Sequence, residues 1–343
     1  MKTVRMLGER RADVIEVADP VPRDNQVVVK IIASAICGTE RHFYEDPLIS
    51  TEPRGRDNGG HEAAGIVWKV DSSRLLREGD RVMLFAAYQH CGRCEYCWSG
   101  RWTFCQGEGR PPVRSGNHAQ YVLMRDDFCL PLPDDLDFET GALLTDNLGT
   151  PFRAIKRLRV NARDSVLVVG TGPVGLAATM LCRAMGAPVV AADVNAYRLS
   201  VASRCGANAV IDPSREDLNA RIREFTGADG VTVAIDTSGS QEGRLACLEG
   251  VGRAGRVAFI GIGAGLQLDP AQARDAFIFK EVEIIGSWYS DPADMVELAG
   301  LIRRGLEPSR MVTHRFGIDA APEAFATCFD GIGAKVVIRP WSE

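Results

Sequence analysis

The sequence contains no run of basic residues, no apolar stretch of membrane-spanning length, and no repeat or low-complexity tract. Each absence removes a class of function. With a net charge of −5 and no Lys/Arg cluster, the chain offers no counter-charge to a nucleic acid or an anionic membrane. No segment approaches the ~20 apolar residues that cross a bilayer. The first residues, Met1-Lys2-Thr3-Val4-Arg5-Met6, lack the long apolar core of a secretory signal. The expectation is a cytoplasmic protein whose partner is a small molecule, with no nucleic acid and no membrane.

The 343 residues suffice for two domains at ~100–200 residues each. With 45% hydrophobic and 25% charged residues, those domains can bury substantial cores. Of ten cysteines, four crowd between Cys91 and Cys105, while Cys37, Cys129, Cys182, Cys205, Cys247 and Cys328 are scattered. A secreted disulfide scaffold would be shorter and more evenly stapled, so the thiols point to a reducing compartment.

From Asp24 onward the pattern is β-rich. Strands are expected at Gln26–Ala33, Glu62–Val70, Arg81–Phe85 and His118–Met124, interrupted by the cysteine loop. Many short strands with turn signals suggest a small, partly open barrel. After Asp137 the texture turns helical, and then strand and helix alternate. Val166–Val169, Val189–Asp193, Val231–Asp236, Arg256–Ile260 and Val282–Ile285 are continuous apolar runs, as expected of parallel strands covered on both faces. That pattern is a doubly wound α/β domain over residues 150–286, following a β-rich domain over 1–149. The remainder, 287–343, is too short for a third domain and is expected to pack back on the first.

Gly170-Thr171-Gly172-Pro173-Val174-Gly175 follows a strand and opens a helix. The first glycine makes the tight turn, the second lets the backbone approach a pyrophosphate, and the third allows close helix–strand packing. The helix N-terminus faces the phosphate charge. Asp193 ends the next strand, near the ~20-residue distance of the acid that bonds the adenosine ribose. Strand, turn, helix, strand and acid in this order indicate a dinucleotide site. Asp193 would repel a 2′-phosphate, which favours NAD over NADP; Arg198 could soften that preference, or simply be a solvated helix face.

Cys91, Cys94, Cys97 and Cys105 have the spacing C-x2-C-x2-C-x7-C. Four thiolates so close suit a closed tetrahedral zinc that leaves no position for a substrate, which is a structural role.

Taken with Cys37-Gly38-Thr39, His42 and Gly60-His61-Glu62, these features resemble the zinc-containing medium-chain alcohol dehydrogenases, including their polyol, sugar and threonine dehydrogenase branches. The resemblance runs the whole length, to Thr313-His314-Arg315-Phe316. It implies an α/β protein: a GroES-like β-rich catalytic domain made from both chain ends, with a Rossmann doubly wound parallel-sheet domain between them. It also implies two zinc ions per chain, one catalytic and one structural. Cys37 and His61 carry over as catalytic ligands. The third is expected near Leu144–Leu148, where Asp146 is the best candidate, although Glu62 could ligate directly or through water. The implied chemistry is Lewis-acid activation of an alcohol and hydride transfer to the nicotinamide. Thr39 would accept the alcohol's hydrogen bond, and His42 would relay the proton to solvent. Compact relatives of this length are often tetrameric, so a homo-oligomer, tetramer or dimer, is expected.

The charges of Glu40, Arg41, Arg56 and Asp57 suggest a polar or hydroxyl-rich secondary alcohol: a polyol, cyclitol, sugar or amino alcohol. The alternatives are an NADP-preferring sugar or simple-alcohol dehydrogenase, and a zinc-independent enoyl or quinone reductase or a non-catalytic cofactor binder on the same fold. Retention of Cys37, His61 and the four-cysteine loop argues against the zinc-independent reductase.

Overall fold

The structure, a computed structural model, describes residues 1–49, 56–57, 59–85, 90–107 and 116–342, with the backbone alone at Arg56 and Asp57. The chain divides into two compact units. One comprises Met1–Gly149, Ser290–Ala299 and Val312–Glu343; the other comprises Thr150–Tyr289 and Gly300–Met311.

The first unit begins with strands β1 (Lys2–Gly8), β2 (Arg11–Glu16), β3 (Gln26–Ala35) and β4 (Arg56–Asp57). It continues with β5 (Glu62–Val70), β6 (Arg81–Phe85), β7 (Tyr121–Arg125) and β8 (Cys129–Pro131). The second unit holds β9 (Val166–Val169), β10 (Val189–Ala192), β11 (Ala209–Ile211), β12 (Val231–Asp236), β13 (Val251–Phe259) and β14 (Glu283–Gly286). The chain then returns to the first unit as β15 (Val312–Gly317) and β16 (Lys335–Arg339).

Strand β3 organises the first unit. Its sequence, QVVVKIIASA, is apolar almost throughout, and most of it is buried. It pairs along its length with β5, through Gln26–Lys30 with β7, and through Ser34 and Ala35 with β16. The resulting seven-stranded sheet runs β15-β16-β3-β5-β6-β8, with β7 on β3. Chain end and chain start are therefore hydrogen-bonded neighbours, and this sets Lys335 beside the residues that follow β3. A separate sheet, β2-β1-β4, covers a core of Val4, Met6, Tyr44, Phe325, Phe329 and Ile338.

In the second unit six parallel strands run β11-β10-β9-β12-β13-β14. Every residue of β9 and β10 is buried, as expected of strands covered on both faces. Strand order reverses between β9 and β12, and at such a switch point a crevice opens beyond the carboxyl ends of the strands. Among the described residues no helix is long and apolar enough to cross a membrane.

Candidate metal centre and dinucleotide turn

Cys37 follows β3, His61 and Glu62 lie at the start of β5, and Asp146 comes from a π-helical turn, Leu144–Leu148. That turn continues the helix Phe138–Leu143, which is started by the Asp137 side chain accepting from the Thr140 amide at 2.7 Å. One donor atom from each of Cys37, His61, Glu62 and Asp146 lies within 4.8 Å of the other three. Asp146 Oδ2 is 2.8 Å from His61 Nε2 and 3.6 Å from Cys37 Sγ. A thiol, an imidazole and a carboxylate crowded this closely underground suit a divalent cation of zinc type.

The electrostatics agree with that fit. Burial pushes the Cys37 thiol up, and Asp146 adds to the shift. Burial pulls the His61 imidazole down, yet Cys37 and Asp146 outweigh it and hold the ring's pKa well above the ordinary value. Burial lifts the Glu62 carboxyl to about 6 despite its cationic neighbour Lys335.

Glu62 has a second partner that the sequence reading missed. Lys335 Nζ lies 2.6 Å from Glu62 Oε2, and neither side chain has any solvent exposure. The approach is off the hydrogen-bonding direction, so both Glu62 oxygens lack a hydrogen-bond partner among the described residues. Lys335 instead donates to the Ile36 carbonyl at 3.0 Å. The signal was available: a lysine opening the buried strand KVVIR needs a buried counter-charge.

Two expected cleft charges are engaged internally instead. Glu40 is buried, where it accepts from the Cys37 amide at 3.0 Å. Arg41 donates to Glu45 at 2.8 Å and to the Phe329 carbonyl at 3.0 Å. The side chains of Arg56 and Asp57 lie outside the described residues. Thr39 is half-buried in the turn Gly38–Glu40, and His42 is exposed on the next turn, Arg41–Glu45.

The sulfurs of Cys91, Cys94, Cys97 and Cys105 also lie within 4.8 Å of one another, and all four thiols are free. Cys97 Sγ is 3.6 Å from Cys94 Sγ and 3.9 Å from Cys91 Sγ, too far for disulfides. Backbone amides of Cys91 and Gly107 point at Cys105 Sγ from 3.3 and 3.4 Å, as they would at a thiolate. The Arg93 amide draws the Cys91 thiol down to about 6, while burial pushes Cys97 up to about 12. The cluster fits one closed tetrahedral ion.

In the second unit the glycine turn connects β9 to the helix Pro173–Ala184, whose N-cap is Gly172. Gly170 has φ +88°, a conformation that glycine supplies without strain. A Cβ on Gly172 would meet nothing within 4 Å, which leaves room for a phosphate beside the backbone. A Cβ on Gly175 would sit 1.9 Å from the Gly170 carbonyl oxygen, so helix and turn touch there. Thr171 is buried, and Pro173 and Val174 open the helix. Asp193 Oδ2 accepts from the Thr171 amide at 2.6 Å and its hydroxyl at 3.0 Å, and Oδ1 accepts from the Asn195 amide at 2.9 Å. Arg198 is anchored in the following helix by its amide on Asn195 Oδ1, and its Nε is buried without a hydrogen-bond partner among the described residues. The turn fits a dinucleotide pyrophosphate, with a fixed carboxylate one strand away.

Comparison with known proteins identifies the family of both domains. Residues 23–134 match the alcohol dehydrogenase GroES-like domain, and residues 173–304 match the zinc-binding dehydrogenase family. An uncharacterised zinc-type alcohol dehydrogenase-like protein of Escherichia coli strain K12 is 34% identical, over 97% of this chain and 96% of its own. The L-threonine 3-dehydrogenase of Anaeromyxobacter sp. strain K is 33% identical, over 93% of each chain. The alcohol dehydrogenase TADH from Thermus sp. ATN1 superposes with a TM-score of 0.87 at 25% identity, covering 99% of both chains. The chain belongs to the zinc-type medium-chain alcohol dehydrogenase family, oxidoreductases that act on alcohols.

Proposed function

We propose that this enzyme oxidises a small polar secondary alcohol (a polyol, cyclitol, sugar or amino alcohol) with NAD as hydride acceptor. The observation that carries the proposal is the convergence of Cys37, His61, Glu62 and Asp146 within 4.8 Å. Cys37, His61 and Asp146 would hold the catalytic zinc, because Asp146 Oδ2 lies against both other donors while Glu62 is matched by Lys335. Cys91, Cys94, Cys97 and Cys105 would hold the structural zinc.

Zinc, when bound, supplies a Lewis acid that makes a substrate hydroxyl acidic near neutral pH. The Thr39 hydroxyl accepts the hydrogen bond of that hydroxyl and moves its proton outward. His42 is exposed and passes the proton to water. On the second unit, Gly172 and the N-terminus of the helix Pro173–Ala184 bind the NAD pyrophosphate. Asp193, held by Thr171 and Asn195, orients the adenosine ribose and disfavours a 2′-phosphate.

The L-threonine dehydrogenase relative, whose substrate carries a secondary hydroxyl and charges, supports a polar substrate. Ten free thiols suit a reducing cytoplasm. Ile278 and Phe279, exposed just ahead of the edge strand β14, suit a homo-oligomer. The substrate reading is tested by NAD reduction on a panel of polyols, cyclitols, sugars, amino alcohols and simple alcohols. The expected result is a higher kcat/KM on one of the polar substrates. A higher kcat/KM on 1-butanol than on every polar substrate overturns it.

A further inference from the structure

Behind Cys37 lies a buried polar chain that the chemistry above does not use. Glu40 Oε2 accepts from the Cys37 amide at 3.0 Å. Both Glu40 oxygens lie 3.1 Å from His118 Nε2, and His118 Nδ1 lies 2.7 Å from Ser34 Oγ. Ser34 and His118 have no solvent exposure and Glu40 has 1%. An ionised Glu40 only accepts, so Nε2 donates to it.

Ser34 and His118 are each anchored by backbone pairing. Ser34 sits in β3, paired with Ala63 and Ile338. His118 is held by its carbonyl accepting from the Val4 amide at 2.9 Å, and by the edge of its ring on Phe325. The glycines before His61 press on the same pair. A Cβ on Gly59 would fall 2.2 Å from Glu40 Oε1, and one on Gly60 would fall 2.9 Å from the His118 amide nitrogen. The Glu40–His118 pair is therefore in contact with the backbone on both sides of the metal donors: the Cys37 amide on one side and the approach to His61 on the other.

We propose that His118 is a positioning residue for the catalytic metal: it fixes the Glu40 carboxylate, which in turn sets Cys37 and His61 at their ligating separation. The inference rests on the reading that Cys37, His61 and Asp146 bind a metal. Outer partners that orient ligands in this way change metal affinity by about 10–100-fold.

The test uses the full chain with zinc in the four-cysteine loop, titrated with Co2+ against a competing chelator. His118→Phe is expected to weaken cobalt binding by about 10–100-fold. His118→Gln, whose amide still donates to Glu40, is expected to stay within about tenfold of the unaltered chain. A purely structural His118 would lower the unfolding midpoint and leave the cobalt affinity of the folded chain unchanged, and that result overturns the inference. Should His118→Phe fail to fold, Glu40→Gln decides: weaker cobalt binding supports the inference, and unchanged binding overturns it. An unaltered chain that takes up no cobalt overturns the metal reading and the inference with it.

Discussion

Lys335 and Glu62 form an ion pair with no exposure on either side, and Glu62 is one of the four residues whose donor atoms converge. Such a pair costs desolvation on both partners, and removing one partner leaves the other charged and stranded. Lys335→Met is therefore expected to destabilise the chain by about 3–5 kcal/mol, read as a fall in the urea midpoint. A double variant, Lys335→Met with Glu62→Gln, should recover most of that loss. A single variant as stable as the unaltered chain would contradict the pairing. Asp146 supports a different prediction, because its carboxylate lies 2.8 Å from His61. Asp146→Ala should weaken metal binding at that site by more than about 100-fold, since even outer partners cost 10–100-fold, and leave the four-cysteine metal in place.

The sequence reading named the four donors that converge, because cysteine, histidine and carboxylate leave a compositional trace. It assigned no backbone form to Asp146, because a π-helical turn depends on a hydrogen-bond shift that no residue type announces. The partner of Glu40 was equally hidden. A glutamate three residues after Cys37 reads as cleft charge until His118, 78 positions later, is found against it.

At the scale of elements, the glycine turn was the most legible, since each glycine answers a separate steric demand. Those demands can be separated experimentally. Gly175→Ala forces a methyl to 1.9 Å from the Gly170 carbonyl oxygen, so it should destabilise the second unit. Gly172→Ala meets nothing within 4 Å and has φ −64°, so the chain should fold as before. Its methyl would nevertheless enter the space proposed for the pyrophosphate, and the Kd for NAD should rise by about tenfold or more, ~1.4 kcal/mol. Unchanged NAD affinity in a folded Gly172→Ala variant would remove the turn from the cofactor site. The N-terminal hairpin of β1 and β2 went unread for the opposite reason. Its turn places Glu9 and Arg10 at φ 49° and 61°, without the Asn-Gly or Asp-Gly that normally marks such a turn.

At the scale of the whole molecule, the alternation of apolar runs and helices was enough to expect a parallel sheet. The order β11-β10-β9-β12-β13-β14 is one of the doubly wound orders compatible with that alternation. Less legible was the path of the last segment. Ser290–Ala299 belongs to the first unit, Gly300–Met311 to the second, and Val312 onward to the first again. Within the helix Pro292–Arg303 the chain thus changes unit, which no local composition signals.

The proposed preference for NAD would rest on Asp193 in the second unit. Asp193→Ala should bring the Kd values for NAD and NADP closer together, measured by fluorescence titration, and an unchanged ratio would take Asp193 out of the discrimination. The central claim is a metal-dependent alcohol dehydrogenase whose working ion is held by Cys37. Its most direct test measures zinc content and NAD reduction together on the unaltered chain and on Cys37→Ser. The account predicts two zinc ions per chain and turnover in the first. In the second it predicts one zinc, a retained fold, retained NAD binding and no turnover. A Cys37→Ser chain that keeps both zinc ions and reduces NAD at the original rate would contradict it.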